Sequence, residues 1–230
     1  MINPAQVTDY NRTQSELQEF LLFCINVSGK KSAIEAPKLE VFLERVRSIT
    51  GCSKPFDGMT SLGTRLVEIM HWAAISPYKQ RYNSYSDVLK LGDLRAVTLT
   101  RLLQVRGIGL KTARFFLSHS REDFDEPMLD THILRFLRDQ GYRDAPKSTP
   151  QNVGIYNYYA NVFKMFARTL GKSVTDLDLE IWKQYSKTAI LVDENTKKNC
   201  LYKLSSIYNP IIIEIKSGEK NKNIKTCSLI

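Results

Sequence analysis

From residue 15 to residue 186, apolar side chains recur at intervals of three and four, and no stretch alternates with a period of two. That rhythm confines the body of the chain to amphipathic helices, each burying one face. Leu17, Phe20, Leu21, Cys24 and Ile25 share such a face behind Ser15, which is placed to cap the first helix. Pro37 suits the first helical position of a segment carrying Leu39, Phe42, Leu43 and Val46. Residues 51–58 read as a loop and 62–74 as a helix stopped by Pro77. A short helix capped by Ser86 or Asp87 follows, then one over 94–105. Helices over 111–118, 131–138, 153–170 and 173–186 complete an all-α pattern.

At about 100–200 residues per domain, 230 residues make one large domain or two small lobes. With 43% hydrophobic, 10% aromatic and 25% charged residues, global disorder, collagen-like repeats and coiled coil are excluded. The longest apolar runs, such as Phe20–Ile25, are too short to span a bilayer, so no membrane partner is expected. The opening Met1-Ile2-Asn3-Pro4 lacks the basic and apolar parts of a secretory signal. Cysteines at 24, 52, 200 and 227 form neither CxxC nor CxxC…HxxxH. That points away from zinc and iron–sulfur sites and towards free thiols in a reducing cytoplasm. The formal charge of +9 favours a polyanionic partner. From Ile190 onward the composition turns to Asn, Lys, Ile and Ser, with β-prone stretches at 201–204 and 211–215. Residues 190–230 read as an extension, a small hairpin or partly disordered, whose seven lysines and four acidic residues leave +6 on the helical body.

The stretch richest in chemistry is Val105-Arg106-Gly107-Ile108-Gly109-Leu110-Lys111-Thr112-Ala113. Two helices joined through Gly-x-Gly use backbone conformations that glycine adopts most cheaply. The turn points successive N–H groups outward at the start of the second helix, and the helix dipole adds to their attraction for phosphate. Gly107, Gly109 and Leu110 are the candidate phosphate contacts. Lys111 falls in the first helical turn, where the positive dipole end disfavours an ammonium; a free amine there can attack carbon and form a Schiff base. Nineteen residues on, Asp130 is placed to cap the helix bearing Ile133, Phe136 and Leu137. Its carboxylate is also suited to stabilise an oxocarbenium-like sugar.

Gly107-x-Gly109-x-Lys111-Thr112-Ala113 followed by Leu129-Asp130-Thr131-His132 resembles the helix-hairpin-helix DNA glycosylases, the superfamily of endonuclease III and the 8-oxoguanine glycosylases. The motif match runs from about Leu99 to Leu137, and beyond it only the helix pattern matches, over about 15–185. One departure is Arg106, at a position where the family often has proline, which bears on hairpin rigidity and not on the chemistry. The resemblance implies two helical lobes, about 36–140 and 1–35 plus 141–189, with double-stranded DNA across the cleft and the damaged nucleotide flipped into a pocket. The expected state is a monomer in the cytoplasm, associated with the nucleoid if the source is prokaryotic. Lysine at 111 marks the bifunctional branch, which removes the base and nicks the strand by β-elimination.

Endonuclease III-like members usually carry a cysteine-bound iron–sulfur cluster, and residues 153–186 contain no cysteine. The resemblance therefore points to the cluster-free branch that includes the archaeal-type 8-oxoguanine enzymes, with no cofactor and no metal beyond a monovalent cation at the hairpin. Phe115 lies one turn beyond Lys111, at the offset where those enzymes pack a ring against the flipped base. Asp178 and Trp182, four apart on one helix, match a similar Asp-x-x-x-Trp, and Asn26 stands where a glutamine contacts the base. In 76–82, Tyr78, Lys79 and Arg81 read as a DNA-contacting loop in which aromatics and cations alternate. The expected activity is excision of 8-oxoguanine followed by strand nicking. The competing readings are the same chemistry on oxidised pyrimidines and a non-catalytic DNA-binding hairpin module.

Overall fold

In the computed structural model, which describes residues 2–3, 6–185, 189–200 and 211–215, the first helix is capped two residues earlier than the serine suggests. This helix, α1 (Gln14–Asn26), starts at a reciprocal capping box in which Thr13 and Glu16 satisfy each other's backbone N–H groups. The Thr-x-x-Glu spacing was present in the sequence and outweighs Ser15, which sits inside the first turn. Helix α2 (Ser32–Thr50) begins five residues before Pro37, which lies exposed within it. The helix gives up one internal hydrogen bond there and closes at Gly51, in the left-handed conformation (φ +69°).

The expected 51–58 loop is mostly helix α3 (Pro55–Leu62), with Pro55 in its first turn. Gly58 permits α3 to approach α2: a Cβ there would stand 2.7 Å from Val46 Cγ1. A short 3₁₀ turn (Gly63–Arg65) leads to α4 (Leu66–Trp72) and then α5 (Tyr78–Val88). Helix α6 is short (Leu99–Leu103), capped by Thr98, and α7 covers Leu110–Ser118. After a stretch without regular structure come α8 (Thr131–Asp139), α9 (Val153–Thr169) and α10 (Val174–Tyr185).

The main core draws on α1 to α7, from Leu17 to Leu117, with Phe20, Phe42, Met70, Tyr85 and Phe116 fully buried. Helix α1 lies at its centre and is buried on almost every side from Leu17 to Asn26, touching α2, α3, α5 and α7. Helices α8 and α9 bury a further set, including Ile133, Leu137, Tyr156 and Phe163, and Phe136 meets Phe163 and Phe166 edge-on. Among the described residues no helix is long and apolar enough to cross a membrane.

By compactness the chain divides into Met1–Asp178 and Leu179–Ile230. In the second unit, β1 (Ala189–Asp193) and β2 (Ile211–Ile215) pair in parallel, with Leu191 opposite Ile213, and α11 (Glu194–Cys200) follows β1. The β-prone 211–215 stretch is thus a strand, whereas 201–204 lies outside the described residues. A hairpin is ruled out for this pair, because parallel strands require a crossover between them.

Candidate active site

The hairpin between α6 and α7 is built as the glycine spacing requires at one position and not at the other. Gly107 adopts φ +82°, and a Cβ there would stand 2.7 Å from Ser84 Oγ on α5. Gly109 caps α7 in an ordinary extended conformation (φ −95°, ψ −179°), with open space where a side chain would be. Gly107 therefore serves backbone geometry, and Gly109 leaves the N-terminus of α7 uncovered. Leu110 is buried, so only its main chain is available to a ligand.

Arg106 takes over the work of a rigid turn residue. Its Nε and Nη2 donate to the two carboxylate oxygens of Asp87 at 2.6 and 2.8 Å, and its main-chain N–H donates to Oδ2 at 3.2 Å. This bidentate pair ties the turn to the last part of α5, and it holds the Asp87 carboxyl below the usual carboxylate range. Asp87 is consequently an interior residue of α5 and not a helix cap.

Lys111 occupies the first turn of α7, and its Nζ lies 3.9 Å from Asp130 Oδ2. The lysine is 42% exposed and Asp130 18%, so both are within reach of a bound molecule. The other oxygen of Asp130 accepts from the N–H groups of His132 and Ile133 at 2.8 and 3.0 Å. One carboxylate thus caps α8 and faces the lysine, and the capping bonds fix its rotamer.

Asp178, in α10, completes a carboxylate pair around the lysine. It is partly exposed by surface area but set deep among neighbouring atoms, and its carboxyl is pushed up to about 8, first by burial and then by the charge of Asp130, against the opposing effect of Lys111. At neutral pH it keeps its proton and is a hydrogen-bond donor. Trp182, four residues further along α10, lies in the second unit and is 47% exposed.

The other expected positions fall elsewhere. Phe115 follows Lys111 by one turn, but its half-buried ring packs against Phe20 and edge-on to His119. Asn26 is the last residue of α1 and fully buried: its side-chain oxygen accepts from Tyr85, its carbonyl from Arg81, and its Nδ2 has no partner among the described residues. The segment taken as a DNA-contacting loop is the start of α5. Tyr78 is half-buried and stacked on His71, Lys79 is exposed, and Arg81 is buried with its guanidinium turned to Asn26. Tyr78, Arg81 and Tyr82 share the inner side of this helix, and Lys79 lies on its outer side. Trp72, before this helix, is 62% exposed with Arg45 beneath its ring.

Residues that sequence reasoning passed over hold the site together. The α1–α2 connection touches α7 beside Lys111, where Thr112 donates to Ser28, and reaches the α4–α5 junction through Lys30 and the Ser76 carbonyl. Tyr156, Arg114 and Thr149 brace the approach to Asp130. None carries a local signal: Tyr156 sits in the buried periodicity of α9, and the partners of Arg114 and Asp87 are distant in sequence.

The chain matches no model of a known protein family. The backbone arrangement aligns with the 8-oxoguanine glycosylase/lyase of Methanocaldococcus jannaschii, solved in complex with DNA containing 8-oxoguanine. The TM-score is 0.56 over 76% of this chain and 83% of that one, at 20% identity. The 8-oxoguanine DNA glycosylase of Thermotoga maritima aligns at TM-score 0.53 over 75% of this chain and 81% of that one, at 22% identity. This is the fold of the 8-oxoguanine DNA glycosylases. Among curated relatives, the 8-oxoguanine DNA glycosylase/AP lyase of Saccharolobus solfataricus is 34% identical over 90 residues. That of Metallosphaera sedula is 36% identical over a segment of the same length. The matched segment takes in 39% of this chain and spans 43% and 41% of those relatives. Within the glycosylase fold, α6, α7 and α8 present the hairpin, Lys111 and Asp130 in one neighbourhood.

Proposed function

We propose that this protein is a bifunctional DNA glycosylase/AP lyase that excises 8-oxoguanine from duplex DNA and nicks the abasic strand. The observation that carries this reading is the 3.9 Å approach of Lys111 Nζ to Asp130 Oδ2 at the end of a Gly-x-Gly hairpin. Lys111, as the free amine, attacks C1′, and the bond to the base breaks with its electron pair leaving on the base, which then takes up a proton. Asp130 stabilises the positive charge that develops on the sugar. The amine then loses a proton and the C1′–O4′ bond opens, with O4′ taking up a proton; the protonated imine so formed acidifies C2′, and loss of that proton expels the 3′-phosphate and cleaves the strand. The names of the curated relatives support 8-oxoguanine as the substrate. Protonated Asp178 offers the base a hydrogen-bond donor, and Phe115 borders the same helix face as Lys111.

The turn grips a DNA phosphate through the main-chain N–H groups of Gly107, Gly109 and Leu110, aided by the open approach at Gly109. A monovalent cation at the hairpin, which the family resemblance implies, would need neutral main-chain carbonyl oxygens as ligands. It would be held by the 104–109 turn and would strengthen the contact with phosphate. Backbone contacts account for most of the affinity, as expected for a chain of net charge +9, so binding weakens steeply with salt.

Borohydride trapping on DNA containing an abasic site tests the chemistry. Wild-type protein is expected to form a covalent adduct that Lys111→Gln does not, and absence of the adduct from wild type overturns the reading. Nicking of duplexes with 8-oxoguanine against thymine glycol tests the substrate, and cleavage of thymine glycol alone assigns the enzyme to oxidised pyrimidines.

A further inference from the structure

Asp130 is delivered to Lys111 by a segment, 125–130, that has no regular structure and must satisfy its backbone groups through side chains. Tyr156 of α9 makes two of these bonds, and Ser118 holds the Glu126 carbonyl. Its hydroxyl donates to the Pro127 carbonyl at 2.9 Å and accepts from the Leu129 N–H at 3.0 Å, so one fully buried phenol brackets Met128, two residues before Asp130. Only a neutral phenol can donate and accept together, and burial pushes this one up to about 12, so it keeps its proton at every working pH. The Leu129 carbonyl is held in turn by Thr149 at 2.9 Å.

The ring of Tyr156 makes the second connection. The guanidinium of Arg114 lies 4.4 Å from its centroid, and Arg114 is a buried residue of α7, three positions beyond Lys111. The same side chain therefore meets the helix that carries the lysine and the strand-like segment that carries the aspartate. The spacing of the two reacting groups depends on a residue that touches neither.

We propose that Tyr156 is the positioning residue for Asp130, setting its distance from Lys111 through the paired hydrogen bonds to Pro127 and Leu129 and the stack on Arg114. The inference rests on the reading of Lys111 and Asp130 as the reacting pair. A double-mutant cycle tests it, with single-turnover excision of 8-oxoguanine and borohydride trapping measured on the whole chain. Tyr156→Phe is expected to slow excision roughly tenfold or more at saturating protein, with DNA affinity changed less than twofold. In an Asp130→Asn background, which keeps the helix cap, the same change is expected to have no further effect. An equal loss in both backgrounds, or weaker DNA binding with an unchanged rate, overturns the proposal. If Tyr156→Phe does not fold, Thr149→Val is put through the same cycle, with the same two outcomes deciding. A wild-type protein that forms no adduct defeats the underlying reading, whereas an adduct with additive losses defeats this inference alone.

Discussion

The hairpin before Lys111 and the segment before Asp130 are both non-repetitive stretches fixed by side chains from other helices, but they are fixed in opposite media. The hairpin is tied at the surface, by Asp87 and an Arg106 that is 58% exposed. The Asp130 segment is tied by neutral hydroxyls, that of Tyr156 fully buried and that of Thr149 half-buried. Surface ion pairs gain little net free energy and weaken with salt. Buried neutral hydrogen bonds gain little as well, yet breaking one strands a backbone group away from water, which costs much more. The arrangement gives the hairpin a fastening that can adjust and the Asp130 segment one that cannot.

The carboxyls on the two sides move in opposite directions for different reasons. Arg106 draws the Asp87 carboxyl down, whereas burial and the neighbouring Asp130 push Asp178 up to about 8.

The sharpest break of the comparison is to remove each fastening and measure stability in urea. Tyr156→Phe leaves the Pro127 carbonyl and the Leu129 N–H unsatisfied and is expected to cost about 2 kcal/mol. Asp87→Asn is expected to leave the unfolding midpoint nearly unchanged. Equal losses would end the distinction between interior and surface.

Within the hairpin, Gly107→Ala is expected to cost about 1–2 kcal/mol for its positive φ, with the crowding against Ser84 added. Gly109→Ala is expected to leave stability unchanged and to weaken DNA binding, because its methyl group would stand where the approach to α7 is open. A stability loss at Gly109 as large as that at Gly107 would show that both glycines serve the backbone.

The pH dependence carries a definite sign. Asp178 binds its proton more tightly folded than unfolded, so its contribution to stability falls as pH rises from its ordinary value of 3.8 towards about 8. Asp178→Asn is expected to flatten unfolding curves over that range, and a curve identical to wild type would mean the carboxyl is ionised there. Asp87 works the other way: its contribution is present above its ordinary value and is lost as pH falls through its depressed one.

The smallest expected effect is on binding. Asp87→Asn should weaken DNA affinity by about threefold at low salt and not at all at high salt. A loss that persists at high salt would mean the clamp shapes the hairpin and does not merely restrain it.

The helices and the approach of Lys111 to Asp130 were legible in the sequence because their signals are local. Periodicity of three to four marked each buried face, and the order of hairpin, lysine and capping aspartate lay within a stretch of 25 residues, from 106 to 130. Where local signals competed, sequence reasoning went astray. Pro37 looked like a start although α2 extends before it, and the rings and cations of 78–82 looked like a binding loop although they belong to α5, with Arg81 turned into the interior.

The sequence by itself determined an all-α body, since helical periodicity follows from residue types at short spacing; the chemistry proposed for Lys111 and Asp130 rests on the family resemblance that their motif carries. Tertiary structure alone decided that Asn26 is sealed against Tyr85, that Arg106 finds Asp87 and that Tyr156 carries the approach to Asp130. Those partners lie 59, 19 and 29 residues apart, and no local periodicity encodes such pairings, because packing at a distance selects them.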